Sequence, residues 1–374
     1  MKLLETLWNT MEKNNSDIFI VCGERSGDLH GSYLIKKLLN ENSSLKIHCW
    51  GGEMMQKAGG VLLENYKNYN LMGFWEVLKS LRYIYKKIDL CKKHILKYKP
   101  KLIVLIDFPG FNMRIAKFSH KNGFKVHYFI PPKAWAWNRS RAVSLSKYVN
   151  KIYSILPFEI DFFRKYNCNI EYVGNPVTQY IPKNLVNKKN TENIISLLPG
   201  SRNSELKYSV PIFKQLIEVS KDYIFKVCAV DNVDQKLYND FKNYDNVEIV
   251  HDDTYRVVAL SKLSIVMSGT ASLEVAYTGI PQVVVYKTSL LSFFIAKLLI
   301  DVKFISLVNL ILNKKLVNEL IQNDFNHNNL LKEIKHLEDS NSLDKFLSGY
   351  KKLRDVVGNK NASDKVKESI IKSL

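Results

Sequence analysis

Short apolar runs alternate with stretches of helical periodicity along almost the whole chain, and no other feature of the sequence constrains the fold as strongly. Runs such as DIFIVC at 17–22, KLIVLI at 101–106 and FKVHYFI at 124–130 are largely apolar, the first two without a polar residue after their opening Asp17 and Lys101. A strand of that kind has both faces buried, which occurs when crossover helices cover both sides of a parallel sheet. Further runs at 45–50, 151–157, 194–198 (IISLL), 224–230, 247–250, 263–267 and 282–286 repeat the pattern. The expected class is α/β with parallel sheets.

The alternation stops once. From Gly174 to about Asn193 the chain reads GNPVTQYIPKNLVNKKNTEN, polar and without a helical stripe, as an interdomain linker would. With 374 residues the chain has room for two domains, and two similar halves imply a cleft between them. The expected boundaries are 1–178, 190–342 and a charged helical tail, 343–374, packed against the body of the protein.

Charge narrows the partners. There are 55 Lys+Arg against 36 Asp+Glu, a formal net charge of +19, yet only 9 of the basic residues are Arg. Nucleic-acid readers favour Arg for bidentate contacts, so no nucleic-acid partner is expected. An anionic membrane surface or a phosphate-bearing substrate fits better. The five cysteines (Cys22, Cys49, Cys91, Cys168, Cys228) include no C-x-x-C pair, so buried free thiols in a reducing cytoplasm are expected. MKLLETLWNTMEKNN lacks the apolar core of a signal peptide, and no run reaches the roughly 18 apolar residues of a spanning helix. The expectation is a soluble or peripheral protein.

In open parallel sheets ligands bind beyond the carboxyl ends of the strands, and four clusters sit there. GERSGDLHG at 23–31 places Glu24, Ser26, Asp28 and His30 in one Gly-punctuated turn; it is neither a Walker A loop nor G-x-G-x-x-G, and a tight turn capped by Asp28 explains it equally well. Asp107, in DFPGFN, ends a very apolar strand, where it either caps the next helix or serves as a general base. LPGSR at 198–202 joins backbone amides, Ser201 and the scarce Arg202 in a way that suits a diphosphate. SGTASLE at 268–274 offers Ser268, Gly269, Thr270 and Ser272 at a helix start with Glu274 a turn further on; taken alone, it is also a plain N-cap.

The order of segments carries more than any one of them. GERSGDLHG, GGEMMQKAGG, LMGFWEVL, DFPGFNMRIAK, IPPKAWAWNRSR, LPFEIDFFRKY, VGNPV, LLPGSR, SGTASLEVAYTGIPQVVVYK and FISLVNLIL together resemble the lipid-A-disaccharide synthase family from about Ile18 to Gln322, with an echo at Asn361-Ala362-Ser363-Asp364. The resemblance implies a GT-B glycosyltransferase: two Rossmann-like domains facing a cleft, with the C-terminal helix returning to the first. It also implies condensation of UDP-2,3-diacylglucosamine with 2,3-diacylglucosamine 1-phosphate, giving the β-1,6 lipid A disaccharide and UDP on the inner face of the inner membrane of Gram-negative bacteria. Carried over residue by residue, Ser201, Arg202, Ser268, Gly269, Thr270, Ser272, Glu274 and Asn309 fall on the UDP half, and Ser26 and Asn112 on the acceptor half. Arg25, Lys133 and Asn318 depart from the family pattern.

A β-linkage made from an α-linked donor requires inversion and a base for the acceptor hydroxyl. Asp107 is the expected base, with Glu24, Asp28 and His30 as alternatives. There is no D-x-D motif, so a metal is not required by this sequence; no cofactor is expected, and an oligomer is compatible with the sequence. A UDP-sugar epimerase of GT-B-like fold is the competing enzymatic reading, and a basic membrane-binding module the non-enzymatic one. In Tyr69–Lys87, Leu71, Phe74, Trp75, Leu78 and Leu81 recur at helical spacing, as a core stripe or as a face dipped into a membrane.

Overall fold

The computed structural model describes residues 15–69, 74–186, 192–299 and 302–374. The chain forms two compact units, residues 1–176 with 360–374, and residues 177–359.

The first unit is built on a seven-stranded parallel sheet: β1 (Ile18–Val21), β2 (Ile47–Gly51), β3 (Val61–Asn65), β4 (Leu102–Ile106), β5 (Lys125–Phe129), β6 (Lys151–Ser154) and β7 (Ile170–Tyr172). Their order is β3-β2-β1-β4-β5-β6-β7. Helices α1 (Arg25–Glu41), α2 (Glu53–Lys57), α3 (Phe74–Tyr98) and α4 (Pro109–Lys121) fall between the strands. Alternate residues of one strand feed opposite faces. Phe19 and Val21 join Ile88, Cys91 and Ile95 of α3 and Phe111 and Ile115 of α4, while Ile18 and Ile20 join Leu34, Ile35 and Leu38 of α1. Burial on both faces is why these strands read as unbroken apolar runs.

The second unit carries a six-stranded parallel sheet of β8 (Ile194–Leu198), β9 (Ile224–Ala229), β10 (Val247–His251), β11 (Leu263–Met267), β12 (Gln282–Tyr286) and β13 (Asn318–Ile321), in the order β10-β9-β8-β11-β12-β13. Helices α5 (Asn203–Val219), α6 (Thr270–Thr278), α7 (Leu290–Leu299) and α8 (Ser340–Val357) belong to it. In each sheet the order reverses direction once, between β1 and β4 and between β8 and β11. The loops leaving those pairs diverge and open a crevice at the strand ends. GERSGDLHG and DFPGFN leave β1 and β4; LPGSR and SGTASLE leave β8 and β11.

The tail 343–374, expected as a whole to pack back on the N-terminal domain, does so only in part. Of residues 343–374, only the part from Lys360 joins the first unit. Helix α8 buries Phe346, Tyr350, Leu353 and Val357, and Gln282 of β12 donates a hydrogen bond to the Tyr350 hydroxyl at 3.4 Å. Spacings of four, three and four residues put these side chains on one stripe, which ties α8 to the second unit. The last helix, α9 (Ala362–Ile371), inserts Ala362, Val366 and Ile370 beside α1. Asn361 caps it by accepting from the Asp364 amide, Lys37 of α1 pairs with Asp364 at 3.0 Å, and Tyr153 donates to Ser369 at 2.8 Å.

Candidate functional site

At the crevice of the first sheet, the chain leaves β4 through two consecutive residues in the left-handed region, Asp107 (φ 48°) and Phe108 (φ 49°). For non-glycine residues this conformation costs about 1–3 kcal/mol each and persists only where the surroundings enforce it. Here the Asp107 carbonyl accepts from the Tyr128 hydroxyl (2.7 Å) and from the Asn112 amide (2.8 Å), and its N–H donates to the Phe129 carbonyl (3.0 Å). Across the crevice, Gly23 makes room for the Phe108 ring, which a Cβ at that position would approach to 2.1 Å.

With its backbone fixed, the Asp107 side chain meets Glu24. Burial, and then the like charge and hydrogen bond of Glu24, push the Asp107 carboxyl up from 3.8 to about 7, while Lys133 pulls it back. Glu24 also accepts from the Ser26 hydroxyl at 2.9 Å. A neighbouring carboxylate disfavours the ionised form of a buried carboxyl, and a base that is half ionised near neutrality suits abstraction of a hydroxyl proton. Three of the expected residues, Asp107, Glu24 and Ser26, are thus brought together with Lys133.

Asp28 and Asn112 are committed elsewhere. One Asp28 oxygen accepts from Gly52 (2.8 Å) and Met55 (3.1 Å) and the other from Met54 (3.2 Å), so this buried carboxylate caps α2. Its place is one turn into α1, over the start of α2. Asn112, fully buried, donates to the carbonyls of Val21, Ile106 and Asp107 and so clamps the ends of β1 and β4 together. That is positioning of the site rather than contact with an acceptor. His30 stacks edge-on against Phe129 at 6.1 Å, and burial lowers it to about 4.

Glu159 stands outside the four clusters singled out in the sequence. This buried carboxyl accepts from Trp135 Nε1 (2.9 Å) and the Ser154 hydroxyl (2.5 Å), and burial raises it to about 7. It thereby fixes the KAWAW segment that carries Lys133. A lone acidic residue in the otherwise apolar LPFEI was the available signal.

In the second unit, Gly200 at φ 121° turns the chain out of β8, and Glu205 reaches back from α5 to accept from the Ser201 amide (2.8 Å) and to pair with Arg202 (3.0 Å). A Cβ at Gly200 would meet Glu205 Oε2 at 2.5 Å. The Arg202 side chain is 60% exposed, with one guanidinium nitrogen, Nη1, paired to Glu205. Beyond β11, Ser268 donates its hydroxyl to the Ile305 carbonyl (2.9 Å) and Ser272 to the Gly269 carbonyl (2.8 Å), which shapes the start of α6 rather than presenting those hydroxyls outward. Gly269 faces open space, Thr270 is exposed, and burial raises Glu274 to about 7 while its bond with Tyr255 opposes that shift.

Asn309 corrects the expectation of a nucleotide contact. It is fully buried; its amide donates to the Val317 carbonyl and to Glu319 (both 2.9 Å), and its carbonyl accepts from Leu316 (2.8 Å) and Val317 (3.0 Å). With both ends of the amide occupied by the chain itself, Asn309 fastens FISLVNLIL to the start of β13. Leu71 and the side chains of Phe74, Trp75 and Leu78, expected to face a membrane, lie outside the described residues. Among the described residues no helix is long and apolar enough to cross a membrane.

The sequence matches the family described as Lipid-A-disaccharide synthetase over residues 18–371. A Lipid-A-disaccharide synthase of Syntrophus aciditrophicus (strain SB) is 32% identical over 336 residues, covering 86% of this chain and 88% of its own. Lipid-A-disaccharide synthase 1 of Legionella pneumophila (strain Paris) is 31% identical, with 96% and 98% covered. Among solved structures, a UDP-GlcNAc 2-epimerase from Neisseria meningitidis bound to UDP-GlcNAc superposes with a TM-score of 0.65 at 11% identity, covering 95% of this chain and 99% of that one. The glycotransferase of kitacinnamycin gives 0.64 at 10% identity, with 95% and 99% covered. At such identities these two speak for the two-domain GT-B fold alone.

Proposed function

The chain belongs to the lipid-A-disaccharide synthetase family, and from that premise we propose how its residues divide the reaction. It is a glycosyltransferase of lipid A biosynthesis that condenses UDP-2,3-diacylglucosamine with 2,3-diacylglucosamine 1-phosphate, releasing UDP and forming the β-1,6 disaccharide. The match across nearly the whole chain carries this conclusion; the epimerase likeness reflects shared architecture.

Inversion proceeds by one in-line displacement: the acceptor 6-hydroxyl attacks the anomeric carbon, the bond to UDP breaks, and a base takes the hydroxyl proton. Asp107 is that base. Its raised carboxyl, about 7, lies closer to the working pH than His30 at about 4, which is too weak a base to drive the transfer well. Glu24 holds Asp107 in that range by like charge, and Lys133 keeps a fraction of it ionised. Asp28 and Asn112 support the loop geometry without touching the reacting atoms.

The nucleotide half is assigned to the second unit. Arg202 and the start of α6 at Gly269 and Thr270 face the departing diphosphate, where a well-placed donor is worth about 3 kcal/mol in the transition state. Glu274 is directed to the ribose hydroxyls, and Ser201, Ser268 and Ser272 shape the two turns. The protein acts at the cytoplasmic face of a membrane, because its substrates carry acyl chains and its charge is strongly positive.

Incubation of the purified protein with both substrates tests the assignment. UDP release that requires the acceptor, and a product with the mass of the disaccharide phosphate, are expected. A donor sugar altered without acceptor would instead mean epimerisation.

A further inference from the structure

Helix α7 departs from the rule that a strongly apolar helix is buried. Its sequence is LLSFFIAKLL, and Leu290, Leu291, Phe294 and Leu298 are 65, 72, 60 and 86% exposed. No other large hydrophobic residue among the described ones is as exposed as any of these four. At about 100° per residue they occupy an arc of about 100°, one face of the helix rather than a scatter.

The helix is anchored where it begins. Gln322, at the end of β13, accepts from the Thr288 amide (2.8 Å) and donates to the Thr288 carbonyl (3.2 Å). The Ser289 hydroxyl accepts from the Ser292 amide (3.2 Å) as an N-cap. The apolar face is therefore held outward by the sheet itself. Its surroundings are basic: between Lys287 and Asn318 the chain has Lys287, Lys297, Lys303, Lys314 and Lys315 against a single acidic residue, Asp301. Lys297 and Lys303 are exposed. Ten residues of helix, about 15 Å, are too short to span a bilayer but long enough to lie in its surface.

We propose that α7 docks the second unit onto an anionic lipid bilayer, with Leu290, Leu291, Phe294 and Leu298 dipped below the headgroups and Lys297 and Lys303 among them. An apolar face flanked by lysines is what such a surface recognises; the apolar face of a second protein chain would have no use for the lysines. The proposal deepens the function above, resting on the reading that the substrates are lipid-borne. It gives the donor-binding unit its own grip on the membrane.

The test uses the full chain and vesicles of phosphatidylethanolamine containing one anionic lipid, phosphatidylglycerol, against neutral phosphatidylcholine vesicles. Cosedimentation of the Leu291→Ser/Phe294→Ser/Leu298→Ser protein with the anionic vesicles is expected to fall about 30-fold, roughly tenfold per two side chains withdrawn from the bilayer. Thermal stability and activity on substrates dispersed in detergent should stay near wild type. As a second readout, Leu298→Cys carries a polarity-sensitive dye, selectively because all five native thiols are buried. Its emission should shift to the blue on anionic vesicles only. Vesicle binding unchanged by the triple substitution, or a dye unmoved by vesicles, overturns the proposal. So does a shift from oligomer to monomer with vesicle binding intact, which would make the face a contact between copies. Wild-type protein inactive on detergent-dispersed substrates would sink the assigned function instead, a different outcome from a failure of docking.

Discussion

Replacing Asp107 by Asn separates the chemical role of this residue from its structural cost. The backbone there is left-handed, and Asn is among the residues that tolerate that region best, so the turn should survive. The ionised carboxylate, however, is disfavoured in the folded chain, whose value is about 7 against an ordinary 3.8. At about 1.4 kcal/mol per unit, full displacement amounts to about 4 kcal/mol, and partial solvation of the carboxyl brings this to about 1–3 kcal/mol. The folded chain binds this proton more tightly than the unfolded chain. Stability from this group is therefore fully present below about pH 4 and is lost as pH rises towards and through 7. Asn carries no such dependence. The variant should match wild type near pH 4 and exceed it by about 1–3 kcal/mol at pH 8 in denaturant unfolding. Its acceptor-dependent UDP release should fall by about 10² to 10⁴, with UDP affinity unchanged because the base acts on the acceptor. Near wild-type turnover would make Asp107 a structural residue. Parallel pH profiles of stability for the two proteins would show that the buried proton sits on another group.

Arg202→Ala should weaken UDP binding by calorimetry and slow the chemical step together, because the charge Arg202 meets is present on bound UDP and grows in the transition state. Asp28→Asn should lower stability by about 1–2 kcal/mol through loss of the cap on α2, and the pH midpoint of turnover should stay where it is; a shifted midpoint would restore Asp28 as a proton carrier. Asn309→Ala leaves the Glu319 carboxylate and the Leu316 and Val317 backbone short of partners, so a loss of about 2–3 kcal/mol is expected in thermal unfolding. Normal stability with weakened UDP binding would instead return Asn309 to the nucleotide site.

The α/β class, the two halves and the strand ends where chemistry sits are legible in the residues alone, because burial on both faces leaves a largely apolar run that needs no knowledge of neighbours. The sequence did not reveal β3, β7 or β13. All three are sheet edges, half-solvated and therefore mixed in composition, as VLLEN, IEY and NELI are. Nor did it distinguish a residue near a site from one spent on the scaffold. Glu24 and Asp107 meet because the sheet order reverses between β1 and β4, whereas Asp28 and Asn309, equally plausible on paper, are engaged by groups from elsewhere in their own units. Helix α7 shows the same division from the other side: its composition describes a core helix, and only the packing around β12 and β13 decides that its apolar face is left to the solvent. Local pattern records how much of a segment is buried on average, but which partner a given side chain finds depends on crossovers that bring distant segments together, and those are fixed only by the tertiary fold.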